Sequence, residues 1–372
     1  MPHGRDYRAS MLIPILVLNY NGRRLLAECL PSVVKAAEKS RHECRVIVVD
    51  NDSTDDSIVW LEERYPDLRV IRCENRALCS FNEVVPSLNC DVAILLNNDV
   101  KLAPDAVDPL VEPLLRDAPA YDPGCFMTAP LCWQMDGQTC EGLKTSVRWR
   151  WGLVQATGRF PGHERAMYRA DLTASAGAAM AIDCRMFEEI GGFDPLYLPG
   201  RIEDLDFGYR GFLAGYHARY VPHSVAYHHG MASFGPAYGH SGNDHLALRN
   251  TLLFQWKNLR HPSHRLRHWL SLPLRLGWDL VRAPIVGRRR RFAFLGALIE
   301  ASSLWRKRRP HRIARGDKAR EREFFRRFHP TRLLSGVDAT GLGTMRFYRV
   351  DVPSPPSSQE EATPAQHEEV PA

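Results

Sequence analysis

From Ile13 onward, short aliphatic runs alternate with amphipathic stretches. IPILVLNY, RVIVVD, LRVIRC and DVAILLNND read as strands. RRLLAECLPSVVKAAEK, between the first two, repeats apolar residues at helical spacing, and further helices are expected from about Thr54 and again before Asp91. Strands and helices alternating this closely predict a parallel sheet with crossover helices. Three of the strands change character abruptly at their carboxyl ends, at Asn19 with Asn21, Asp50 with Asn51, and Asn97 with Asn98 and Asp99. In open α/β sheets that edge is where ligands sit, so these polar groups are expected to line one face of a site.

The pattern loosens after residue 118. Residues 119–170 are rich in Gly, Pro and Trp and read as long loops, followed by the small-residue run ASAGAAMAI, a short helix from Cys184 and the turn GGFDP. RIEDLDFGYRGFLAGY then sets Glu203 and Asp204 just ahead of Leu205, Tyr209, Phe212 and Leu213, the spacing of an amphipathic helix with acids at its N-terminus. HARYVPHSVAYHHG reads as a strand and a histidine-bearing loop. From Asn243 the chain turns helical and increasingly basic, and residues 351–372 form a Pro-, Ser- and Glu-rich tail with the composition of a disordered segment.

Composition changes this picture in two respects. Arg282 to Arg332 holds seventeen Lys/Arg against four Asp/Glu, more than the net +6 of all 372 residues, so the remainder of the chain is net acidic. Nine cysteines without a CxxC pair, and a start without a signal-like apolar run, lead to the expectation of a reducing, cytoplasmic compartment. The two most apolar late segments are poor membrane spans: WLSLPLRLGWDLVRAPIVG is interrupted by Arg275, Asp279 and Arg282, and FAFLGALIEASSLW is short and contains Glu300.

Taken in order, LNYNG, VVDNDSTD, LLNNDV, GAAMAI, GGFDP, EDLDFGYR, GYHARYVP and YHHG resemble a family 2 glycosyltransferase of the GT-A type, near its rhamnosyltransferase-like bacterial members, over roughly residues 13–260. The resemblance implies an α/β fold with a mostly parallel central sheet flanked by helices. The GT-A domain would cover 1–260, with a donor half at about 11–118 and an acceptor and catalytic half at about 119–260. A basic helical extension would cover 261–350, followed by the tail 351–372.

It also implies chemistry. The donor would be a nucleotide diphosphate sugar, dTDP-rhamnose or a UDP-sugar, and the leaving diphosphate calls for Mg2+ or Mn2+ held by oxygen ligands. Asp99 matches the last acid of the family's metal motif, with Asn97 at its first position, and His228 on the YHHG loop completes the set, ahead of its neighbour His229. Asp50 and Asn51 match the nucleoside-binding pair, and Asn19, Asn21, Asn75, Asn82 and Asn98 fall in the same donor region. Asp204 matches the general base of an inverting displacement, and Glu203 would orient the acceptor. Where relatives carry a Gly- and Asn-rich loop this chain has RALCSF, with Arg76, Leu78 and Ser80 in place of glycines, which would reshape the donor pocket.

Several residues keep plainer readings. Asp52 and Ser53 read as helix caps, His217, His223, His240 and His245 as structural, and Trp133, Trp149 and Trp151 either as stacking platforms for an acceptor sugar or as packing residues. The acceptor implied is a glycan or lipid-linked saccharide in cell-surface polysaccharide synthesis. Arginines interleaved with Trp269, Leu270, Leu274, Trp278, Phe292, Phe294 and Trp305 suit an anionic membrane surface, which would make the protein peripheral on the inner face of the cytoplasmic membrane; no nucleic-acid partner is expected. The alternative is a transferase-like protein that has lost activity through the altered loop and binds a nucleotide sugar or an anionic surface.

Overall fold

The structure is a computed structural model that describes residues 12–142, 144–230, 234–282, 284, 292–308 and 318–335, with the side chains of 234–241 and 243 left aside. The first half contains β1 (Ile13–Asn19), α1 (Arg23–Lys39), β2 (Cys44–Asp50), α2 (Ser57–Arg64), β3 (Arg69–Arg72), α3 (Phe81–Ser87), β4 (Val92–Asn97), β5 (Val100–Leu102) and α4 (Val107–Val111). Then come β6 (Cys125–Gln134), β7 (Cys140–Gly142), β8 (Ser146–Arg150), β9 (Leu153–Thr157), β10 (Asp171–Thr173), β11 (Ala179–Asp183), α5 (Cys184–Ile190), α6 (Glu203–Ala214) and β12 (His217–His228). The chain continues in α7 (Phe234–Asn258), α8 (Pro262–Arg282), α9 (Ala293–Lys307), α10 (Lys318–Arg327) and α11 (Pro330–Leu334).

The main sheet runs β10-β12-β6-β11-β4-β1-β2-β3, with β5 paired to β12 and β7 to β6. β4, β1, β2 and β3 are parallel, as their continuous aliphatic runs predict, whereas β11 lies antiparallel between β4 and β6. Register sets the carboxyl ends together: Asn19 pairs with Asp50 across β1 and β2, and Leu18 with Asn97 across β1 and β4.

Residues 119–170 are not the loop region the sequence predicts. They contain four strands, and β6, ten residues long and buried along most of its length, is central to the sheet. Its signal is obscured by Pro130, which lacks the N–H a ladder requires. The neighbouring β12 shifts register between Val221 and Val225, beside Pro130, the kind of irregularity that accommodates such a residue. α7 likewise begins nine residues before the expected Asn243, in FGPAYGHSGN, whose Gly and Pro hide a helix from pattern reading.

Apolar side chains fill both faces of the sheet, with α1 and α4 on one side and α3, α5 and part of α6 on the other. A further core joins Leu205, Tyr209 and Leu213 of α6 to Leu252, Leu253 and Phe254 of α7, Phe294, Ala297 and Ala301 of α9, and Phe324 and Phe325 of α10. The basic extension, in its described residues, is therefore packed onto the helix that carries Glu203 and Asp204. Trp149 joins this packing, with ring centroids 5.1 Å from Phe325, and Trp133 packs beside Leu131, Met167 and Tyr220.

α8 leaves an apolar stripe outward. Leu266, Trp269, Leu270, Leu274, Trp278 and Val281 recur at helical spacing, and all are exposed, Leu274 to 69%. Trp151, at the turn between β8 and β9, adds its ring beside Trp278 at 5.8 Å. Among the described residues no helix is long and apolar enough to cross a membrane.

Candidate active site

The strand ends are knotted together by their amides. Asn98 Nδ2 donates to Asn19 Oδ1 at 2.8 Å, and Asn19 Nδ2 donates to Asp50 Oδ1 at 3.0 Å. Ser53 closes the knot, its hydroxyl donating to Asp50 Oδ1 at 2.6 Å and its N–H to Asp50 Oδ2 at 3.0 Å. Ser53 is thus a partner of the strand ends rather than the cap of α2, which begins four residues later. Gly22 makes the close packing possible: a Cβ there would lie 2.0 Å from Asn98 Nδ2 and 2.5 Å from Asn19 Oδ1. Asn21, at φ 46°, accepts from the Thr54 N–H at 2.7 Å and fixes the following loop.

Above this knot lies a cleft of about 700 Å3. One end is lined by Asn51, Asn75, Ala77, Leu78, Asn97, Asn98 and Asp99, the other by Glu203, Asp204, Arg201 and the β9 residues Gln155 to Thr157. Asn51 Nδ2 donates to the Ala77 carbonyl at 3.2 Å, while its Oδ1 is sealed from solvent without a partner. Ala77 stands at φ 49°, so the altered loop still makes the left-handed turn a glycine would make easily, and it presents Leu78 to the cleft. Asn19, Asn21 and Asp50 support this wall from behind and are not among its lining residues.

Asn82 is not brought to the cleft. Its side chain accepts from the Phe193 N–H and donates to the Phe193 carbonyl, both at 2.8 Å, clasping the start of α3 to the GGFDP turn. Its backbone-mimicking amide explains why an asparagine is there without any ligand.

Between the two ends, His228 Nε2 lies 3.3 Å from Asp99 Oδ1, and His228 Nδ1 lies 3.7 Å from Glu141 Oε1. Burial works against a charged imidazole, but the two carboxylates overcome it and hold the His228 proton up to about 9. Asp99 Oδ1 is sealed from solvent, and the His228 imidazole is its ion-pair partner. Among the described residues no group of three or more His, Cys, Asp or Glu side chains is arranged to hold a metal ion. Asp99 and His228 are an oxygen and a nitrogen donor of the kind a divalent cation accepts once the imidazole gives up its proton, and further oxygen ligands would have to come from outside the chain. His229 faces elsewhere, its Nε2 2.9 Å from Glu28 Oε1. Glu141 was missed in the sequence because it follows the irregular MDGQTC segment, which carries no motif.

At the other end, Glu203 and Asp204 open the first turn of α6, where the helix dipole favours acids. The Ser175 hydroxyl donates to Asp204 Oδ2 at 2.5 Å and fixes that carboxylate. Glu203 Oε2 is sealed without a partner, and burial, reinforced by the charge of Asp204, pushes the Glu203 carboxyl up to about 8. Ser175 lies in a run of small residues that gave no sign of this contact.

The cleft thus sets amides and a carboxylate from the strand ends in one lining with the acids that open α6. Residues 15–134 match the family model of glycosyl transferase family 2. That segment is a glycosyltransferase family 2 domain. It is similar to the N-acetylglucosaminyl-diphospho-decaprenol L-rhamnosyltransferase of Mycobacterium tuberculosis, 26% identical over 324 residues that cover 80% of this chain and 96% of that one. Among solved structures the transferase resembles GalNAc-T7 crystallised with UDP, GalNAc and Mn2+, at TM-score 0.51 and 18% identity, over 72% of this chain and 51% of that one. This likeness establishes the GT-A fold. The mannosyltransferase PcManGT from Pyrobaculum calidifontis, in complex with GDP-Man and Mn2+, matches at TM-score 0.48 and 16% identity over 82% of this chain and 89% of that one.

Proposed function

We propose that this glycosyltransferase moves a sugar, with inversion, from a nucleotide diphosphate sugar to a saccharide acceptor carried on a lipid. The observation that carries the reading is the single cleft shared by the Asn97–Asp99 strand end and the Glu203–Asp204 helix start. The nucleoside would rest against Asn51, Asn75 and the Ala77–Leu78 turn, held in shape by Asn19, Asn21 and Asp50 from behind.

Asp99 and His228 would hold Mg2+ or Mn2+, with Asn97 and Asn98 beside them, and the cation would supply positive charge for the leaving diphosphate. GalNAc-T7, whose fold this chain shares, is crystallised with Mn2+ and UDP, which supports the choice of ligand. The acceptor hydroxyl oxygen attacks the anomeric carbon, the bond from that carbon to the diphosphate oxygen breaks, and Asp204 takes the hydroxyl proton. Ser175 keeps Asp204 aimed during the transfer. Glu203, neutral at pH 7 by its raised pKa, would donate a hydrogen bond to an acceptor hydroxyl rather than compete for the proton.

The mycobacterial relative's name specifies a rhamnosyl donor and a diphospholipid-linked acceptor, which supports dTDP-rhamnose or a UDP-sugar here and an acceptor with a hydrocarbon tail in cell-surface polysaccharide synthesis. The outward stripe of α8 supports the same acceptor class from the other side. Its exposed Trp and Leu side chains suit insertion among lipid chains, and Arg282 at the end of the same helix suits an anionic headgroup layer, on the inner face of the cytoplasmic membrane. The test is donor turnover with Mn2+ or Mg2+ in the parent and in Asp204→Asn, with loss of transfer in the variant as the expected result.

A further inference from the structure

The backbone leading into Glu203 and Asp204 is unusual. Arg201 and Ile202 both stand at φ 76°, a left-handed conformation that is strained for any side chain and most of all for a β-branched one. Such a conformation persists only where its surroundings over-determine it.

Here the surroundings are three side chains from far along the chain. Arg308, at the C-terminal end of α9, donates through Nη1 to the carbonyls of Pro195, Leu196 and Leu198 at 3.3, 3.1 and 3.1 Å. Arg249 of α7 donates through Nη2 to the Leu198 carbonyl at 2.8 Å. Asn250 Nδ2 donates to the carbonyls of Tyr197, Gly200 and Arg201 at 2.7, 2.7 and 2.9 Å. Every carbonyl from Pro195 to Arg201 except that of Pro199 is thereby claimed. The donors are themselves fixed: Arg249 Nη1 lies 2.6 Å from Glu300 of α9, its Nε donates to Asn250 Oδ1 at 2.9 Å, and Asn250 is fully buried. None of the three lines the cleft.

We propose that Arg249, Asn250 and Arg308 are positioning residues for sugar transfer: they clamp the 195–202 segment so that the first turn of α6 presents Glu203 and Asp204 in register with the cleft. The inference rests on the role proposed for Asp204. Buried carbonyls need donors, and a guanidinium supplies several in a fixed plane, which an ammonium does not. Without the clamp the segment relaxes toward ordinary backbone angles and the acids move, and a displacement of about 1 Å at a reacting group costs on the order of a hundredfold in rate. On this reading α9 belongs to the catalytic apparatus although it lies outside the donor half.

The experiment compares parent, Arg308→Ala, Arg308→Lys and Asp204→Asn as full-length chains. Three readouts are taken: nucleotide diphosphate release at saturating donor, donor affinity by calorimetry with Mn2+, and hydrogen exchange of the amides of residues 196–206. Arg308→Ala is expected to lower kcat about tenfold to a hundredfold while donor affinity stays within about twofold, with Arg308→Lys recovering only part of the rate. Exchange is expected to rise in residues 196–206 in both Arg308 variants, a readout that does not depend on turnover and that the lysine variant supplies even where the alanine variant folds poorly. Parent-like kcat and exchange in folded Arg308→Lys would overturn the clamp, as would a fall in donor affinity proportional to the fall in kcat. Failure of the base assignment shows separately, as full turnover by Asp204→Asn.

Discussion

The ammonium of Lys257 lies 2.9 and 2.8 Å from the two carboxylate oxygens of Asp206, and neither side chain is more than 2% exposed. Lys257 also reaches Asp194 at 2.6 Å, while Arg210, Tyr197 and Asn258 donate to Asp206. One buried network therefore joins the GGFDP turn, α6 and the end of α7, two residues from Asp204.

Breaking it by one partner strands a buried charge. Lys257→Met is expected to destabilise the fold by about 3–5 kcal/mol, measured by denaturant unfolding. Burial of Asp206 alone would raise its pKa, but the charges of Lys257 and Arg210 outweigh that and hold it far below the usual carboxylate range. A carboxyl depressed in the folded state contributes stability that is fully present above its unfolded pKa, about 3.9, and is lost as pH falls further toward its folded value. Parent stability is therefore expected to drop steeply below about pH 4, and Asp206→Asn to flatten that limb.

Glu203 gives the opposite slope. Its carboxyl keeps its proton in the fold up to about 8 but loses it near 4.3 when unfolded, so the folded state binds more protons between those values. Stability is expected to decline across that window as pH rises, and Glu203→Gln to remove the decline. Unfolding at pH 5 and pH 8 in both proteins measures it; equal pH dependence would contradict a neutral, partly buried Glu203.

Much of this was legible in the sequence, because the first hundred residues are regular. Aliphatic runs ending in Asn19, Asp50 and Asn97 mark parallel strands, and the pattern alone puts their polar ends on one edge. Residues 119–260 were legible chiefly at α6, where acids precede a clear apolar stripe. β6 was hidden by Pro130, Ser175 by its small neighbours, and Glu141 by an irregular segment. The buried network was invisible for a different reason: Lys257 reads as one more charge in a basic region, and only three-dimensional packing reveals its two carboxylate partners.

The metal reading predicts a ranked series. Asp99→Ala is expected to abolish most of the gain in donor affinity that Mn2+ brings, and His228→Ala to weaken it more than His229→Ala, since His229 is engaged by Glu28. Calorimetric titrations with and without Mn2+ decide this, and identical, metal-independent affinity in all three would remove the site.

The proposed lipid-facing surface is the outer stripe of α8. The inner faces of α9 and α10 share the core of α6, so a chain ending near Asn258 is expected to misfold. Substitutions on the exposed stripe are the cleaner test. Anionic liposomes are expected to sediment the full-length protein at low salt and to release only part of it at moderate salt, because charge attraction is screened while apolar insertion is not. Trp269→Ser combined with Leu270→Ser and Leu274→Ser should leave folding intact and the protein in the supernatant; equal sedimentation of parent and variant would count against this face.

The central claim, transfer from a nucleotide diphosphate sugar with Asp204 as base, is tested most directly by a donor screen. Nucleotide diphosphate release is measured across dTDP-, UDP- and GDP-sugars with Mn2+ or Mg2+ and a lipid-linked saccharide acceptor, in the parent and in Asp204→Asn. The account predicts turnover with at least one donor, and a fall of about a hundred- to ten-thousandfold in the variant with donor binding retained. Release at the parent rate by Asp204→Asn, or no release from any donor by a parent that binds one with metal, would contradict it.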